Sequence, residues 1–172
     1  MTLNFTVGGA KATFEARIAD EVADVLDNAF GAEGDWEGVP PRHFGTSGRE
    51  GWAELQRRAV EALGSEGVPN LLALGNDPRG VYLPTHVRAV SLPMACGETL
   101  RCASLPGLRR ELSDLAEHWE LPLHDDALRA ILTEDEDGGV ADAPEIAVFA
   151  RLALAANEAV RRDCPLWLVG ED

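Results

Sequence analysis

Residues 144–162, PEIAVFARLALAANEAVRR, constrain the fold more than any other stretch of the chain. Proline opens the segment at the helical position where a missing N–H costs nothing. No glycine or second proline interrupts it, and Ile146, Phe149, Leu152, Ala153, Ala156 and Val160 recur at helical spacing. A helix of that length with that apolar face must lie on something. Arg151, Asn157 and Glu158 break its apolarity, so it falls short of the roughly 18 apolar residues that a membrane span needs.

The remaining segments are shorter and more sharply punctuated. Ser104 is placed to cap a helix over 105–119, with Pro106 in the first turn and Leu108, Leu112, Leu115 and Trp119 on one stripe. Residues 50–63 form an amphipathic helix through Trp52, Leu55, Ala59 and Ala62, ended by Gly64. Asp20 reads as the N-cap of a helix that runs through Val22, Val25, Leu26 and Ala29 to Gly31. A short helix over 125–133 buries Leu128, Ile131 and Leu132.

Strand signals are fewer. Leu3, Phe5 and Val7 alternate, as do Ala12, Phe14, Ala16 and Ile18, with Gly8-Gly9 between the two runs. That pattern predicts an N-terminal hairpin. NLLALG and GVYLPT around NDPR predict a second hairpin over 70–85, with Pro84 confining its end to a sheet edge. Residues 87–103 are ambiguous apart from a strand at 99–103, and PLWLV at 165–169 is a final strand. Together these elements predict an α+β fold: a single domain over 1–172 in which a small antiparallel or mixed sheet packs with about five helices. Hydrophobic residues at 45% suffice for a core without disulfides or metals. The three cysteines, Cys96, Cys102 and Cys164, are too few for a disulfide framework and are expected to be buried, reduced thiols.

Charge narrows the function classes. Thirty acids stand against fifteen bases, for a net charge of −15. From 111 to 145, twelve acids face Arg129 alone, whereas 41–110 is mildly basic. Such a field repels phosphate backbones, which excludes nucleic acid as the expected partner. The start MTLNFTVGGAKATFEA lacks the basic and apolar regions of a signal peptide, so a cytoplasmic location is expected. Fourteen of the fifteen basic residues are arginine and alanine is abundant, a usage that suggests a GC-rich bacterial source.

Motif searches return little. Neither common phosphate-cradling glycine motif occurs, nor do H-E-x-x-H or C-x-x-C. GTSGREG does not centre Ser47 as a nucleophile elbow requires. The run Glu134-Asp135-Glu136-Asp137 opens an acidic loop over 134–142, but its spacing breaks the EF-hand pattern at positions 5, 6 and 12. No metal or other cofactor is therefore expected, although a nonstandard weak cation site in that loop stays open. His118 and His124 flank the turn at 119–123 with acids close by, and at the C-terminus of the 105–119 helix the dipole alone favours His118. Residues 31–49, rich in glycine and proline, read as a long loop holding Trp36, His43 and Phe44.

Two functions follow as expectations. One is a non-enzymatic acidic module that binds a basic protein partner, as a bacterial immunity protein would, through Trp36, His43 and the acids Glu134, Asp135, Glu136 and Asp137. The alternative is an enzyme whose site assembles from Arg42, His43 and Ser47 of the 31–49 loop with a carboxylate from elsewhere. No family signature is recognised among these residues.

Overall fold

In the computed structural model, the residues described are 2–31, 36–76, 79–136, 138 and 143–171. The strands are β1 (Thr2–Val7), β2 (Arg42–Gly48), β3 (Arg79–Leu83), β4 (Val90–Pro93), β5 (Thr99–Ser104) and β6 (Leu166–Glu171). The α-helices are α1 (Ala16–Phe30), α2 (Arg49–Leu63), α3 (Pro69–Ala73), α4 (Leu105–Trp119), α5 (Asp125–Glu136) and α6 (Pro144–Arg162). The strands form one mixed sheet in the order β2-β1-β6-β3-β5-β4, in which only β3 and β5 run parallel. This is the α+β class that the segment order predicts.

The period-2 alternation of the strands sorts side chains onto two faces. Leu3, Phe5, Val7, Tyr82, Ala103, Leu166 and Leu168 face a core closed by α2, α3, α4 and α6. Val81, Leu83, Leu100, Cys102 and Trp167 face the other way, and α1 covers them through Ala19, Val22 and Leu26. Helix α6 is buried on nearly every side, because its alanines let neighbouring elements approach closely. Of its predicted apolar face, Phe149, Leu152, Ala153 and Ala156 are buried, Ile146 is half-buried, and Val160 is exposed. Helix α4 begins as its sequence indicates: Ser104 Oγ accepts from the Gly107 N–H at 3.0 Å, and Pro106 lies in the first turn.

Both predicted hairpins are corrected by the structure. β1 pairs with β2 and β6, both distant in sequence, rather than with residues 12–18. After Gly8-Gly9 the chain makes a single 3-10 turn at Ala10–Ala12 and enters α1 at Ala16, four residues before the expected cap Asp20. The alternation of Ala12, Phe14, Ala16 and Ile18 is also the start of a helical stripe that continues through Val22 and Val25, and alanine favours that outcome. Residues 69–73 are helical too. Pro69 sits in the first turn, and Leu71 and Leu74, three apart, are both fully buried. β3 therefore has no hairpin partner at 70–76; it is an interior strand, and Pro84 lies just beyond its ladder. The hairpin in this half of the chain is β4–β5, turned at Gly97 with φ +88°. Of the cysteines, Cys102 and Cys164 are buried as expected, but Cys96 is exposed. Burial pushes the Cys102 thiol up to about 12 and the Cys164 thiol up to about 11.

The polar residues of α6 are matched rather than stranded. Glu158, nearly buried, accepts from Arg161 Nη2 at 2.7 Å, Arg162 Nε at 2.7 Å and Arg42 Nη1 at 3.2 Å. Asp125 accepts from Asn157 Nδ2 at 2.9 Å and Arg161 Nη2 at 2.8 Å. The hydrogen bond from Arg161 holds the Glu158 carboxyl below its usual value, against partial burial. Burial alone would raise Asp125, but Asn157 and Arg161 bring it below its usual value. A depressed folded pKa gives stability that is complete above the unfolded value and lost as the pH falls through the folded one. The arginine partners are partly exposed, so solvent screening limits the combined contribution to about 1–2 kcal/mol. The double variant Asp125→Asn, Glu158→Gln is expected to lose that much at pH 7 and to converge on wild type on acidification from about pH 5 to 2. Urea denaturation at stepped pH measures this, and a gap independent of pH would contradict it.

Among the described residues, no helix is long and apolar enough to cross a membrane.

Candidate functional site

The candidate residues fall in three places. The first is β2, a bulged edge strand that takes up residues 42–48 of the predicted 31–49 loop. Glycine and proline hid it from the sequence, yet the strand needs its glycine. Gly45 has φ +83°, and an added Cβ there would lie 2.5 Å from the Arg151 guanidinium. Register places Arg42 beside Val7 on the α6 side of the sheet, and His43 beside Thr6 on the opposite side. Arg42 pairs with Glu158 and lies 5.3 Å from the Phe44 ring centroid. Ser47 Oγ accepts from Arg151 Nε at 3.1 Å, and the Phe44 carbonyl accepts from Arg151 Nη1 at 2.7 Å. His43 Nδ1 is 3.0 Å from Thr6 Oγ1, and the ring is otherwise exposed. A bulge in the ladder between the Thr6–His43 and Asn4–Thr46 pairs shifts the alternation by one residue, so Arg42 and Ser47 face one way and His43 the other.

The second place is the end of α5. Glu134, Asp135 and Glu136 are helical, because α5 runs three residues past its predicted stop. Glu134 and Glu136 are exposed and Asp135 is half-buried. Carboxylates at a helix C-terminus oppose its dipole. Here Arg151 supplies an opposite charge. Burial lowers the Arg151 pKa, and the charges of Asp135 and Glu136 work against that shift. Asp137 and most of the predicted 134–142 loop lie outside the described residues. Among the described residues, no group of three or more His, Cys, Asp or Glu side chains is placed to hold a metal ion.

The third place is Trp36, which opens a one-turn 3-10 helix, Trp36–Gly38. Its ring is half-buried and packs against the hydrophobic clusters on both sides of the sheet. It is the wall of a cavity of about 690 Å³ rather than a free anchor. Trp167 and Leu83 come from the sheet, Leu26 and Phe30 from the last turns of α1, and His86 and Val87 from the segment after β3. Trp167 Nε1 donates to the Gly8 carbonyl at 2.8 Å, and Phe14 meets the Trp167 ring edge-on at 5.5 Å. The indole therefore has its one polar atom satisfied within the fold. Charge gathers at the same cavity: Asp27, Glu37 and Asp163 line it, together with Arg162.

Sequence reasoning singled out Trp36 but missed its setting. Trp167 lies in the expected final strand at 165–169, and Phe30 and His86 carry no local signal. The cavity exists only because α1, the Trp36 turn and the chain after β3 meet over one strand of the sheet.

No protein-family model, no curated protein and no solved structure matches this chain.

Proposed function

We propose that the protein is a non-enzymatic binding module for a basic protein partner, in the manner of an immunity protein that neutralises a cationic toxin. The supporting observation is how its charges are divided. Among the described residues, eleven of the fourteen arginines place their guanidinium on a partner within the fold. Arg58 pairs with buried Glu145, Arg101 donates to the Leu74 carbonyl at 2.7 Å, and Arg109 donates to Asn157. The carboxylates left over face outward. They include Asp20 and Asp24 on α1, Asp114 and Glu117 on α4, and Glu134 and Glu136 on α5, while Asp126, also exposed, lies 3.7 Å from Arg129. A surface of that sign speeds encounter with a cationic partner and disfavours nucleic acid. A bacterial cytoplasm is the setting this reading implies.

The test is capture from a native-host lysate by wild type and by the triple variant Asp126→Asn, Glu134→Gln, Glu136→Gln, each at low and high salt. All three residues are exposed, so the fold should survive. Wild type is expected to retain one basic protein at about 0.05 M salt and release it at about 0.5 M, as the screening length shrinks. The variant is expected to retain roughly tenfold less, given about 0.2–1 kcal/mol for each exposed pair. Retention that survives both high salt and neutralisation would sink the electrostatic reading.

A further inference from the structure

We propose that the cavity between α1, the Trp36 turn and the chain after β3 seats one apolar anchor side chain of a protein partner, flanked on the rim by basic residues of that partner. The occupant is the basic partner proposed above, so this seat presupposes that reading and adds where the partner docks.

Exposure decides what kind of occupant fits. The hollow measures about 690 Å³, and Ala23, Glu37, Thr85, His86 and Asp163 on its lining are all exposed. Sites for small molecules bury about 70–90% of their ligand, whereas a hollow with so exposed a rim leaves a small molecule open to water. A protein partner covers the rim with its own surface while one side chain fills the centre, which is the arrangement of an interface hot spot.

The accessible walls set the anchor. Phe30, Trp36, Val39, Pro84 and Val87 line the hollow and are each half-buried, so each keeps surface for a contact. They come from the end of α1, from the Trp36 turn and its exit, and from the chain after β3. Trp167 and Leu83, which also line it, are fully buried and offer an occupant no surface. Covering five hydrophobic side chains from three segments favours an aromatic or aliphatic anchor.

The rim sets the sign of what surrounds the anchor. Glu37 and Asp163 are exposed carboxylates without a side-chain partner among the described residues. Asp20, exposed and likewise unpaired, stands three residues before Ala23 on the same face of α1. The remaining acid on the lining, Asp27, already has a partner and adds no free charge. The arginine on the lining, Arg162, is held by Glu158 at 2.7 Å and by the Pro40 carbonyl at 2.6 Å. The free carboxylates therefore give the rim its sign, and the net charge of −15 adds a field of the same sign. Lysine or arginine beside the anchor meets these groups, and an acidic flank is repelled. Thr85 and His86 complete a polar edge of the kind that surrounds the apolar centre of an interface.

The test uses three end-blocked peptides on the full chain at low salt: KKFKK, KKAKK and EEFEE. The readout is the Trp36 indole N–H and the Val87 backbone N–H resonances. KKFKK is expected to shift both saturably and to bind about tenfold more tightly than KKAKK, the lower end for burying a phenylalanine side chain, while EEFEE gives no shift. Ala23→Trp, at an exposed α1 position on the lining, should fill the hollow and bring KKFKK to within about twofold of KKAKK. The double variant Glu37→Gln, Asp163→Asn should weaken both lysine peptides about threefold and leave their ratio unchanged, as loss of two exposed ion pairs would give. Asp163 sits at φ 51°, a conformation that asparagine tolerates, so the fold is kept. The proposal is overturned if KKFKK gives no saturable shift up to about 10 mM, if EEFEE binds as tightly, or if Ala23→Trp leaves the KKFKK to KKAKK ratio unchanged. It is also overturned, with the electrostatic reading left standing, if both lysine peptides bind equally and shift the Glu134 and Glu136 amides instead.

Discussion

Replacing Trp167 with alanine is expected to cost about 3–5 kcal/mol, the range for removing a fully buried aromatic side chain. The residue lies on β6, near the middle of the sheet, with no solvent exposure. It belongs to the cluster under α1, alongside Val81, Leu83 and Leu26. Its loss opens a void that these neighbours can fill only in part, and it leaves the Gly8 carbonyl without its indole donor. Because the typical margin of a domain this size is about 5–15 kcal/mol, the variant should unfold at a much lower urea concentration with an unchanged slope. Trp167→Phe keeps most of the volume and should cost about half as much. A Trp167→Ala shift under about 1 kcal/mol would mean that α1 is held by something other than this packing.

The second large effect belongs to Glu111. This buried carboxylate on α4 accepts from the backbone N–H groups of Asn70 and Leu71 and from Asn70 Nδ2, each at 2.8 Å. It therefore caps the short helix α3 from a segment forty residues away. Asn70 extends the join: its Oδ1 accepts from the Ser104 N–H at 3.1 Å and its carbonyl from the Tyr82 hydroxyl at 3.2 Å. Glu111→Ala strands buried donors at about 1–3 kcal/mol each, so a total loss of about 3–5 kcal/mol is expected. Glu111→Gln keeps the shape but turns an N–H₂ group toward a donor, and should fall between the two. The pH dependence has the opposite sign to that of Asp125 and Glu158. Burial pushes the Glu111 carboxyl above its usual value, outweighing the three hydrogen bonds. The folded state then holds its proton more tightly than the unfolded state. This contribution to stability is complete below the unfolded pKa and is lost as the pH rises through the folded one. The margin of wild type over Glu111→Gln should therefore be wider at pH 4 than at pH 7. A margin that widens toward pH 7 would contradict this.

Much of the helical structure was legible because its signals are local. Ser104 and Pro106 announce the start of α4, Pro144 announces α6, and stripes such as Trp52, Leu55 and Ala59 identify the buried face of α2. Each of these depends on residues within a turn or two of one another, which is where helix hydrogen bonds close. Strand partners were not legible. The ladder of β1 closes on residues about forty and one hundred and sixty positions away, and no local pattern encodes that choice. The Gly8-Gly9 pair looked like a hairpin turn only while its neighbours were the candidate partners.

The same division governs the candidate site. Composition alone determined the strongly negative charge and the absence of the familiar nucleotide and metal motifs. Periodicity determined where most of the helices lie. Only the tertiary structure decided that Arg42 and Ser47 turn away from His43, because a bulge in the pairing of β2 with β1 shifts the alternation of β2 between them. Only the tertiary structure brought Phe30, Trp36 and Trp167 to one cavity. Local elements follow from short-range hydrogen bonding and steric preference, whereas a concave site is made by segments that meet only after hydrophobic burial has closed the chain upon itself.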